Sequence, residues 1–322
     1  MKFLIIQLGR IGDMILLTPM FRAIKEFYPD SHIDILASRH NKIILQNNTR
    51  INHIYTWEKS PLKLLKLIMD LRGIKYDYLI DPKDHYSTES AIIARIAKAG
   101  NKIGYNRPGK KIFDIPIESD VNNTGKHFTE RAILSLSSLG INHKEFKLKP
   151  ELFINPESEE FVTNFIRKYC TKPLLTLNIS AGNSSRMWQI NKWALLIKSI
   201  DLSKYTIVLS SAPKDIHLAN ELKSSCPDLQ LFHSRSFEDV ISLIKNSLLL
   251  ITPDTSLVHV ASAFDVPLFG LFCSDEENYN KFKPLCNKYF AIRPIKGESN
   301  IAGIDTDRVI PEFHNFIDKS VY

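Results

Sequence analysis

The feature that most constrains this chain is an alternation of short apolar runs and helical patterns along its whole length. Residues 2–8 (KFLIIQL) form an apolar run that ends in a glycine turn and is followed by a helical pattern. Residues 174–179 (LLTLNI) begin the same cycle again in the second half. Such runs are typical of strands buried on both faces of a parallel sheet, with helices connecting the strands. The sequence therefore predicts an α/β protein.

The alternation breaks once, around residues 149–156, where Pro150 and Pro156 interrupt it. With 322 residues the chain is long enough for two domains of roughly 100–200 residues each. We therefore predict two Rossmann-like doubly wound domains, residues 1–154 and 155–322, with the last helix as a candidate to pack back on the first domain. Because doubly wound domains bind ligands at the carboxyl ends of their strands, we expect the two domains to face a ligand-binding cleft.

The positive charge of the chain is concentrated in its first half. Residues 1–150 carry 24 Lys+Arg against 15 Asp+Glu, whereas residues 151–322 carry 18 against 20. A basic half suits an anionic partner such as a phosphorylated sugar, an anionic membrane surface or nucleic acid, although a dispersed, solvated positive face is the alternative. The basic residues that we single out as candidate contacts are Lys59, Lys63, Lys83 and Arg107.

Two further features limit the compartment and the metal chemistry. The chain has no run of about 20 apolar residues, because Gln7, Arg10 and Asp13 interrupt the candidate stretch near its beginning. We therefore expect a cytoplasmic protein. The four cysteines form no CxxC pair, so neither disulfides nor structural zinc is expected.

Gly9, Gly12 and Asp13 follow the first predicted strand and open a helix. Glycines at this place let a ligand approach the backbone closely, but the GxxGD spacing does not match the GxGxxG dinucleotide fingerprint. The helix N-terminus favours an ionised Asp13, which could accept a proton from an attacking hydroxyl group. The same carboxylate could instead serve only as a cap of the helix.

A loop in the second half has the composition of an anion-binding loop. Residues 180–188 (SAGNSSRMW) follow a predicted strand and include Ser180, Gly182, Ser184, Ser185 and Arg186. Small hydroxyl side chains, backbone N–H groups and one guanidinium suit a phosphate cradle. An ordinary flexible loop is the alternative.

A second loop, within residues 252–261 (TPDTSLVHVA), follows another strand and starts a helix. Asp254 or Thr255 would cap this helix, which would leave N–H groups at Thr255, Ser256 and Leu257 for a phosphate or a sugar hydroxyl. His259 lies farther along the helix, where a place in the core is the alternative to a ligand contact.

Several segments, in the right order along nearly the whole chain, resemble those of glycosyltransferase family 9, the heptosyltransferases. They are GD at 12–13 with TP at 18–19, YDYLID at 76–81 with IGY at 103–105, HFTER at 127–131, and DTSLVHVAS at 254–262 with PLFG at 267–270. The chain departs from the family pattern at Ser256, at Ser210-Ser211 and at Cys273-Ser274-Asp275. These departures concern the nucleotide and sugar of the donor, not the fold.

The resemblance implies the GT-B arrangement, with the acceptor in the N-terminal domain and the donor in the C-terminal domain. It implies an inverting glycosyltransferase that uses neither a metal nor a cofactor. The sugar would be a heptose or similar, moved from a nucleotide-diphosphate donor, foremost ADP-heptose, to a lipopolysaccharide-core-type acceptor. An anionic glycolipid acceptor would also bring the enzyme into peripheral contact with the inner face of the inner membrane.

The resemblance also assigns roles by matching position. Asp13 would be the catalytic base, with Gly12 and the four candidate basic residues on the acceptor side. Arg186, Ser184 and Ser185 would hold the donor phosphates, and Asp254 the hydroxyls of the donor sugar. The remaining residues expected to bind the donor are Ser180, Gly182, Thr255, Ser256 and His259.

Two other kinds of protein are compatible with parts of the pattern. A GT-B-like nucleotide-sugar epimerase would act on the donor alone, without an acceptor. A basic nucleic-acid-binding protein is the non-enzymatic alternative, but the chain has no helix-turn-helix or RNA-binding signature, and its aromatic residues are not interleaved with its basic ones. We therefore expect no nucleic-acid partner.

Overall fold

The computed structural model describes residues 1–295 and 298–321, and the chain divides into two compact units. The first unit comprises Met1–Phe153 together with Asn280–Phe282, and the second comprises Ile154–Tyr279 and the chain from Lys283 onward. The change of unit therefore falls one residue before the predicted boundary. Across the described ranges, no helix combines the length and the apolar character that crossing a bilayer requires.

The first unit is a single parallel sheet with helical connections. Its elements are β1 (Lys2–Gln7), α1 (Ile11–Phe27), β2 (His32–Ser38), β3 (His53–Trp57), α2 (Pro61–Gly73), β4 (Lys75–Ile80), α3 (Thr88–Ile96), β5 (Lys98–Gly104), β6 (Ile115–Pro116) and α4 (Phe128–Leu134). The strand order is β3-β2-β1-β4-β5-β6, and every neighbouring pair is parallel. This is the doubly wound order of dinucleotide-binding folds.

The second unit repeats that topology. Its elements are α5 (Pro156–Tyr169), β7 (Leu174–Asn178), α6 (Ile190–Ser199), β8 (Thr206–Ser210), α7 (Ile216–Ser225), β9 (Gln230–Phe232), α8 (Phe237–Lys245), β10 (Leu249–Pro253), α9 (Leu257–Phe264), β11 (Leu268–Leu271), β12 (Tyr289–Ile292) and α11 (Thr306–Val321). Helix α10 (Glu276–Phe282) begins in the second unit, and its last three residues group with the first. Its sheet has the order β9-β8-β7-β10-β11-β12, again with parallel neighbours. The prediction of two doubly wound α/β domains is confirmed.

The first helix, α1, contains a proline at which one backbone hydrogen bond is missing. Pro19 lies inside α1 and has no N–H with which to bind the carbonyl of Ile15 one turn earlier. The hydroxyl of Thr18 donates to that carbonyl at 2.7 Å instead. Because this partner replaces the missing one, the helix continues as one element to Phe27.

The last helix, α11, was a candidate to pack back on the first domain. In the structure it groups with the second unit and packs on α6. Its buried Val309, Phe313 and Ile317 recur every four residues and form one apolar stripe. That stripe joins the core of the second unit, where the ring of Phe313 lies edge-on to that of Phe269, with 5.4 Å between centroids.

Candidate active site

The strand order of the first sheet reverses between β1 and β4. In open parallel sheets, ligands bind at the carboxyl ends of the strands where the order reverses. Two polar loops leave this point. One runs from β1 to α1 and leads to Asp13 in the first turn of that helix, and the other follows β4 and carries Asp81, Lys83 and Asp84.

The loop before α1 is held tightly around the Asp13 carboxylate. Asp13 lies in the first turn of α1 and accepts the backbone N–H of Arg10 at 2.9 Å. The side-chain amide of Asn41 donates to the carbonyls of Gln7 and Gly9, at 3.0 Å each. A Cβ at Gly9 would lie too close to an oxygen of the Asp13 carboxylate, so a larger residue there would displace that carboxylate. The position of the carboxylate is therefore fixed by its own loop.

Burial raises the pKa of Asp13 above its ordinary value. The hydrogen bond from Arg10 and the positive charges of Arg10, Lys83 and Lys281 act in the opposite direction, but burial prevails. We expected the helix N-terminus to favour the ionised form, yet the loss of water around the carboxylate is the larger effect. A carboxylate with a raised pKa is a stronger proton acceptor than a solvated one, which suits a general base.

Asp84 forms a buried charge cluster in the same unit. Its carboxylate lies 2.5 Å from Nη1 of Arg131 and 3.1 Å from Nζ of Lys281. Nδ1 of His85 lies 3.1 Å from the other oxygen. Burial alone would raise the pKa of Asp84, but these three partners hold it well below its ordinary value. The cluster ties the loop after β4 to α4, and sequence reasoning did not find it. The only available signal was the polar run 81–85 (DPKDH) directly after a strand.

The residues predicted for the acceptor all follow strands of this sheet. Gly12 follows β1, Lys59 and Lys63 follow β3, Lys83 follows β4, and Arg107 follows β5. Because the strands are parallel, these loops share the carboxyl edge of the sheet with Asp13. The structure thus collects them at one edge, although they are far apart in sequence.

Their individual surroundings differ. Lys83 is close enough to lower the pKa of Asp13 electrostatically. The ammonium of Lys63 lies 2.5 Å from the carboxylate of Glu58. The guanidinium of Arg107 lies over the ring of Tyr86, 4.7 Å from its centroid. Lys83 is therefore the predicted acceptor residue with an observed link to the candidate base.

In the second unit the strand order reverses between β7 and β10, and the two predicted donor loops leave from there. Buried hydrogen bonds connect the two strand ends at which these loops begin. The side-chain amide of Asn178 donates to Oγ1 of Thr252 and to the carbonyl of Ser180, at 2.9 Å each. The N–H of Ser180 donates back to Oδ1 of Asn178 at 3.2 Å. Asn178 thus fixes both loops relative to each other.

Arg186 and Asp254 meet in an ion pair. Nη1 of Arg186 lies 3.2 Å from Oδ2 of Asp254, and the two side chains are 26% and 10% exposed. The prediction gave these residues separate roles, on the phosphates and on the sugar. The structure brings them together, so each could orient the other toward a ligand.

The start of α9 differs from the prediction in one detail. The helix begins at Leu257, and the N–H of Leu257 donates to Oγ1 of Thr255 at 3.2 Å. That N–H is therefore taken by the chain, and the expectation that it stays available for a ligand is wrong. Ser256 has φ −59° and ψ −21°, which is ordinary right-handed helical backbone. The backbone at this position therefore accommodates a serine without strain.

A cavity of about 410 Å³ opens beside these loops, within the range of small-ligand sites. Its lining includes four of the predicted donor residues: Ser180, Gly182, Thr255 and Ser256. It also includes Ser210 and Ser211, which the sequence singled out only as a departure from the family pattern. The other lining residues, which the prediction did not assign to the donor, come from the loops after β8 and β9 and from α8: Ala212, Pro213, Lys214, Ser234, Arg235, Ser236, Phe237 and Val240. They were missed because the loops after β8 and β9 contain no glycine that would mark a ligand-binding turn.

The lining of the cavity combines polar and apolar groups. Nζ of Lys214 donates to the carbonyl of Ala181 at 2.9 Å, which places a positive charge beside the loop after β7. Phe237 and Val240 of α8 contribute apolar surface to the same lining. Such a combination suits a ligand with a flat apolar part and an anionic part.

The other predicted donor residues lie outside this lining. Ser184 is exposed, and Ser185 and Arg186 are partly buried in the turn that follows Gly182. His259 is buried in α9, with 6% of its surface exposed. Its role toward a donor remains a prediction. Within residues 1–295 and 298–321, no group of three or more His, Cys, Asp or Glu side chains is placed to hold a metal ion.

Two doubly wound units of this kind form the GT-B fold. Residues 64–302 match the model of glycosyltransferase family 9, the heptosyltransferase family, and the chain belongs to that family. The predicted family and the predicted enzyme class, a glycosyltransferase, are confirmed.

Individual relatives agree with this assignment. The chain is 26% identical over 279 residues to lipopolysaccharide heptosyltransferase 3 of Escherichia coli, covering 81% of this chain and 80% of that protein. A glycosyl transferase of family 9 from Veillonella parvula DSM 2008 superposes with a TM-score of 0.85 at 16% identity, covering 99% of this chain and 98% of that one. The E. coli ADP-heptose lps heptosyltransferase II superposes with a TM-score of 0.81 at 21% identity, covering 99% of each chain. At these identities the structural likeness establishes the fold.

Proposed function

We propose that this enzyme transfers a heptose, or a similar sugar, from a nucleotide-diphosphate donor to an anionic glycolipid of the lipopolysaccharide-core type. ADP-heptose is the first candidate donor, because the name of a solved relative includes it. The acceptor class follows from the names of relatives that act on lipopolysaccharide. The transfer inverts the anomeric centre and uses neither a metal ion nor a cofactor.

One observation carries the proposal. The two sheets have the same strand order, yet the reversal point of the first holds Asp13 with its raised pKa, and that of the second holds the Arg186–Asp254 pair beside a cavity. A sugar transfer needs both kinds of group, because it combines a base for the attacking hydroxyl with positive charge for the leaving diphosphate.

In the proposed reaction, Asp13 takes the proton of an acceptor hydroxyl as its oxygen attacks the anomeric carbon of the donor. The bond between that carbon and the diphosphate oxygen breaks, and the nucleoside diphosphate leaves with the electron pair. Attack from the side opposite the leaving group inverts the configuration. The proton rests on Asp13 until solvent removes it.

The donor would occupy the second unit. Its nucleobase suits the apolar surface of the cavity at Phe237 and Val240, and its diphosphate suits the polar groups of Lys214, Thr255 and Ser256. Arg186, with Ser184 and Ser185 in the same turn, would neutralise charge that develops on the leaving group. Asp254 would bind hydroxyls of the donor sugar.

The acceptor would meet the first unit at the carboxyl edge of its sheet. Gly12, Lys59, Lys63, Lys83 and Arg107 are the residues proposed to bind it. A glycolipid acceptor places the enzyme at the cytoplasmic face of the inner membrane, in peripheral contact with it. We propose no nucleic-acid partner.

The central test is Asp13→Asn, which keeps the shape of the side chain and removes the base. We expect the rate of sugar transfer to fall by about 10²–10⁴-fold, while donor affinity measured by calorimetry stays within about twofold of wild type. Because burial disfavours the carboxylate in the folded state, the substitution should not lower the melting temperature.

The matched control is Asp30→Asn, which changes an exposed carboxylate beyond the other end of α1. It should leave transfer unchanged. Full transfer activity in Asp13→Asn would refute the assigned base. Conversion of the donor into an isomer when no acceptor is present would instead identify an epimerase.

A further inference from the structure

Helix α2 has two apolar faces, and only one of them packs on the sheet. Leu67 and Leu71 are buried in the core of the first unit. Leu62, Leu65 and Met69 are 81%, 54% and 59% exposed. The apolar spacing of residues 61–72 predicts a single stripe, but the structure divides it between two sides of the helix.

The three exposed side chains form a stripe of their own. They lie three and seven residues apart along α2, which places them on one face of a helix. This face is directed away from the side occupied by Leu67 and Leu71, as their burial shows. Scattered exposed apolar residues are normal on a protein surface, but three large ones aligned on one helix are not.

Basic residues surround this stripe. The exposed Lys59, Lys63, Lys66, Arg72 and Lys75 lie on α2 or within two residues of its ends. Two acidic residues lie in the same stretch. One of them, Glu58, is already paired with Lys63, and the other is Asp70. The surface around the apolar stripe is therefore positively charged.

A helix with leucines on its outer face and lysines beside them has the composition of helices that lie in the interface of a membrane. Positive side chains near an anionic leaflet add electrostatic attraction to the burial of the apolar stripe. We propose that α2 docks on an anionic lipid bilayer, with Leu62, Leu65 and Met69 inserted among the headgroups and Lys66 and Arg72 on anionic lipids.

The position of α2 in the fold indicates how docking on a bilayer would serve the proposed reaction. The helix follows β3, so its first turn begins at the carboxyl edge of the sheet, where the loop of Asp13 also lies. A docked α2 brings that edge to the bilayer surface, where the headgroup of a lipid-linked acceptor is found. The docking surface thus deepens the proposed function by naming how the enzyme reaches its acceptor, but lipid binding itself can be measured without any substrate.

The test is co-sedimentation of the whole protein with vesicles of phosphatidylcholine and phosphatidylglycerol, in the absence of donor and acceptor. We expect wild type to bind these vesicles and to bind pure phosphatidylcholine vesicles much more weakly. The triple variant Leu62→Ser/Leu65→Ser/Met69→Ser should lose about tenfold in its partition coefficient. Transfer to a water-soluble, delipidated acceptor should be unchanged in this variant.

Two further variants keep the test specific. The triple variant Val121→Ser/Leu195→Ser/Ile216→Ser removes the same number of exposed apolar side chains from scattered places and should bind like wild type. Lys66→Gln/Arg72→Gln should weaken binding to the anionic vesicles and leave the weak binding to neutral vesicles unaltered.

Equal vesicle binding by wild type and the Leu62/Leu65/Met69 variant would overturn the proposal, as would no binding of wild type to either vesicle. A wild type that sediments as a dimer in solution, with a monomeric triple variant, would overturn it as well, since the face would then belong to a second copy. The effect of Asp13→Asn on transfer tests only the proposed reaction. The proposed reaction and the proposed docking of α2 on a bilayer can therefore be refuted independently.

Discussion

The two sheets of this enzyme share one strand order but carry different loops at the same topological point. In the first unit, the loop after the first strand is closed around a carboxylate, and a Cβ at Gly9 would have no room. In the second unit, the equivalent loop is open, and a Cβ at Gly182 would meet no atom within 4 Å. Topology therefore decides where a site lies, and the composition of the loop decides what chemistry it offers.

The ion pairs of the two units also differ in their burial and in what lies beside them. In the first unit, buried Asp84 forms ion pairs with Arg131 and Lys281, and the pair with Arg131 holds the loop after β4 against α4. In the second unit, Arg186 and Asp254 pair at a partly exposed place beside a cavity. The contrast predicts that breaking the first pair costs stability and that breaking the second costs ligand affinity.

The largest effect is expected for Asp84→Asn. The substitution leaves the buried Arg131 and the partly buried Lys281 without a counter-charge, which should lower the free energy of unfolding of the first unit by about 3 kcal/mol. Urea unfolding at neutral pH measures this difference. Asp70→Asn, which changes an exposed carboxylate of α2, should unfold like wild type.

The same pair has a defined pH dependence. Because the pKa of Asp84 is depressed in the folded state, its contribution is present above the unfolded pKa of about 4 and is lost as the pH falls through the folded pKa. The stability difference between wild type and Asp84→Asn should therefore shrink in strong acid. A difference that stayed constant down to that range would contradict the assigned charge state.

For the second unit we expect an effect on the ligand instead. Arg186→Gln should weaken donor binding by about 10–100-fold, since a charge-assisted hydrogen bond contributes roughly 1.5–3 kcal/mol. Unfolding should change little, because the side chain is partly exposed. Calorimetric titration with the donor checks the prediction, with Arg167→Gln on α5 as the exposed control. If Arg186→Gln bound the donor as tightly as wild type does, the ion pair of the second unit would have no role in ligand affinity, and the contrast between the two units would be refuted.

A smaller effect is expected at Lys83. Its positive charge lowers the pKa of Asp13, so Lys83→Gln should raise that pKa further. The acid limb of the kcat/KM profile, where Asp13 becomes protonated, should then move to higher pH. If the limb moved to lower pH or stayed in place, the idea that the charge of Lys83 lowers the pKa of Asp13 would be refuted.

The smallest effect is expected for Ser256→Gly. Ser256 already has helical backbone angles, so replacing it by glycine should change donor affinity by less than about twofold. A large gain in affinity would show that the serine side chain, and not the backbone, restricts the donor site. Calorimetric titration of both proteins distinguishes these outcomes.

Much of the fold and part of the site were predictable from sequence. Apolar runs such as residues 2–8 identified buried strands, and the loops after them identified Asp13, Ser180, Thr255 and Ser256. The lining at Ser234 and Phe237 was not predictable, because these residues follow a strand without a recognisable motif, and Ser210 was noted only as a departure from the family pattern. The exposure of Leu62 and Leu65 was not predictable either, because spacing alone does not tell which side of a helix the sheet covers.

The sequence by itself determined the doubly wound topology, the family and the loops that carry the chemistry, because strand burial, glycine turns and motif order are properties of neighbouring residues. Only the tertiary structure decided that Arg186 pairs with Asp254, that burial raises the pKa of Asp13, and that Asp84 is held by Arg131 and Lys281. These results depend on distances and on the exclusion of water between segments far apart in the chain. Such quantities exist only once the sheets have formed and brought their strand ends together.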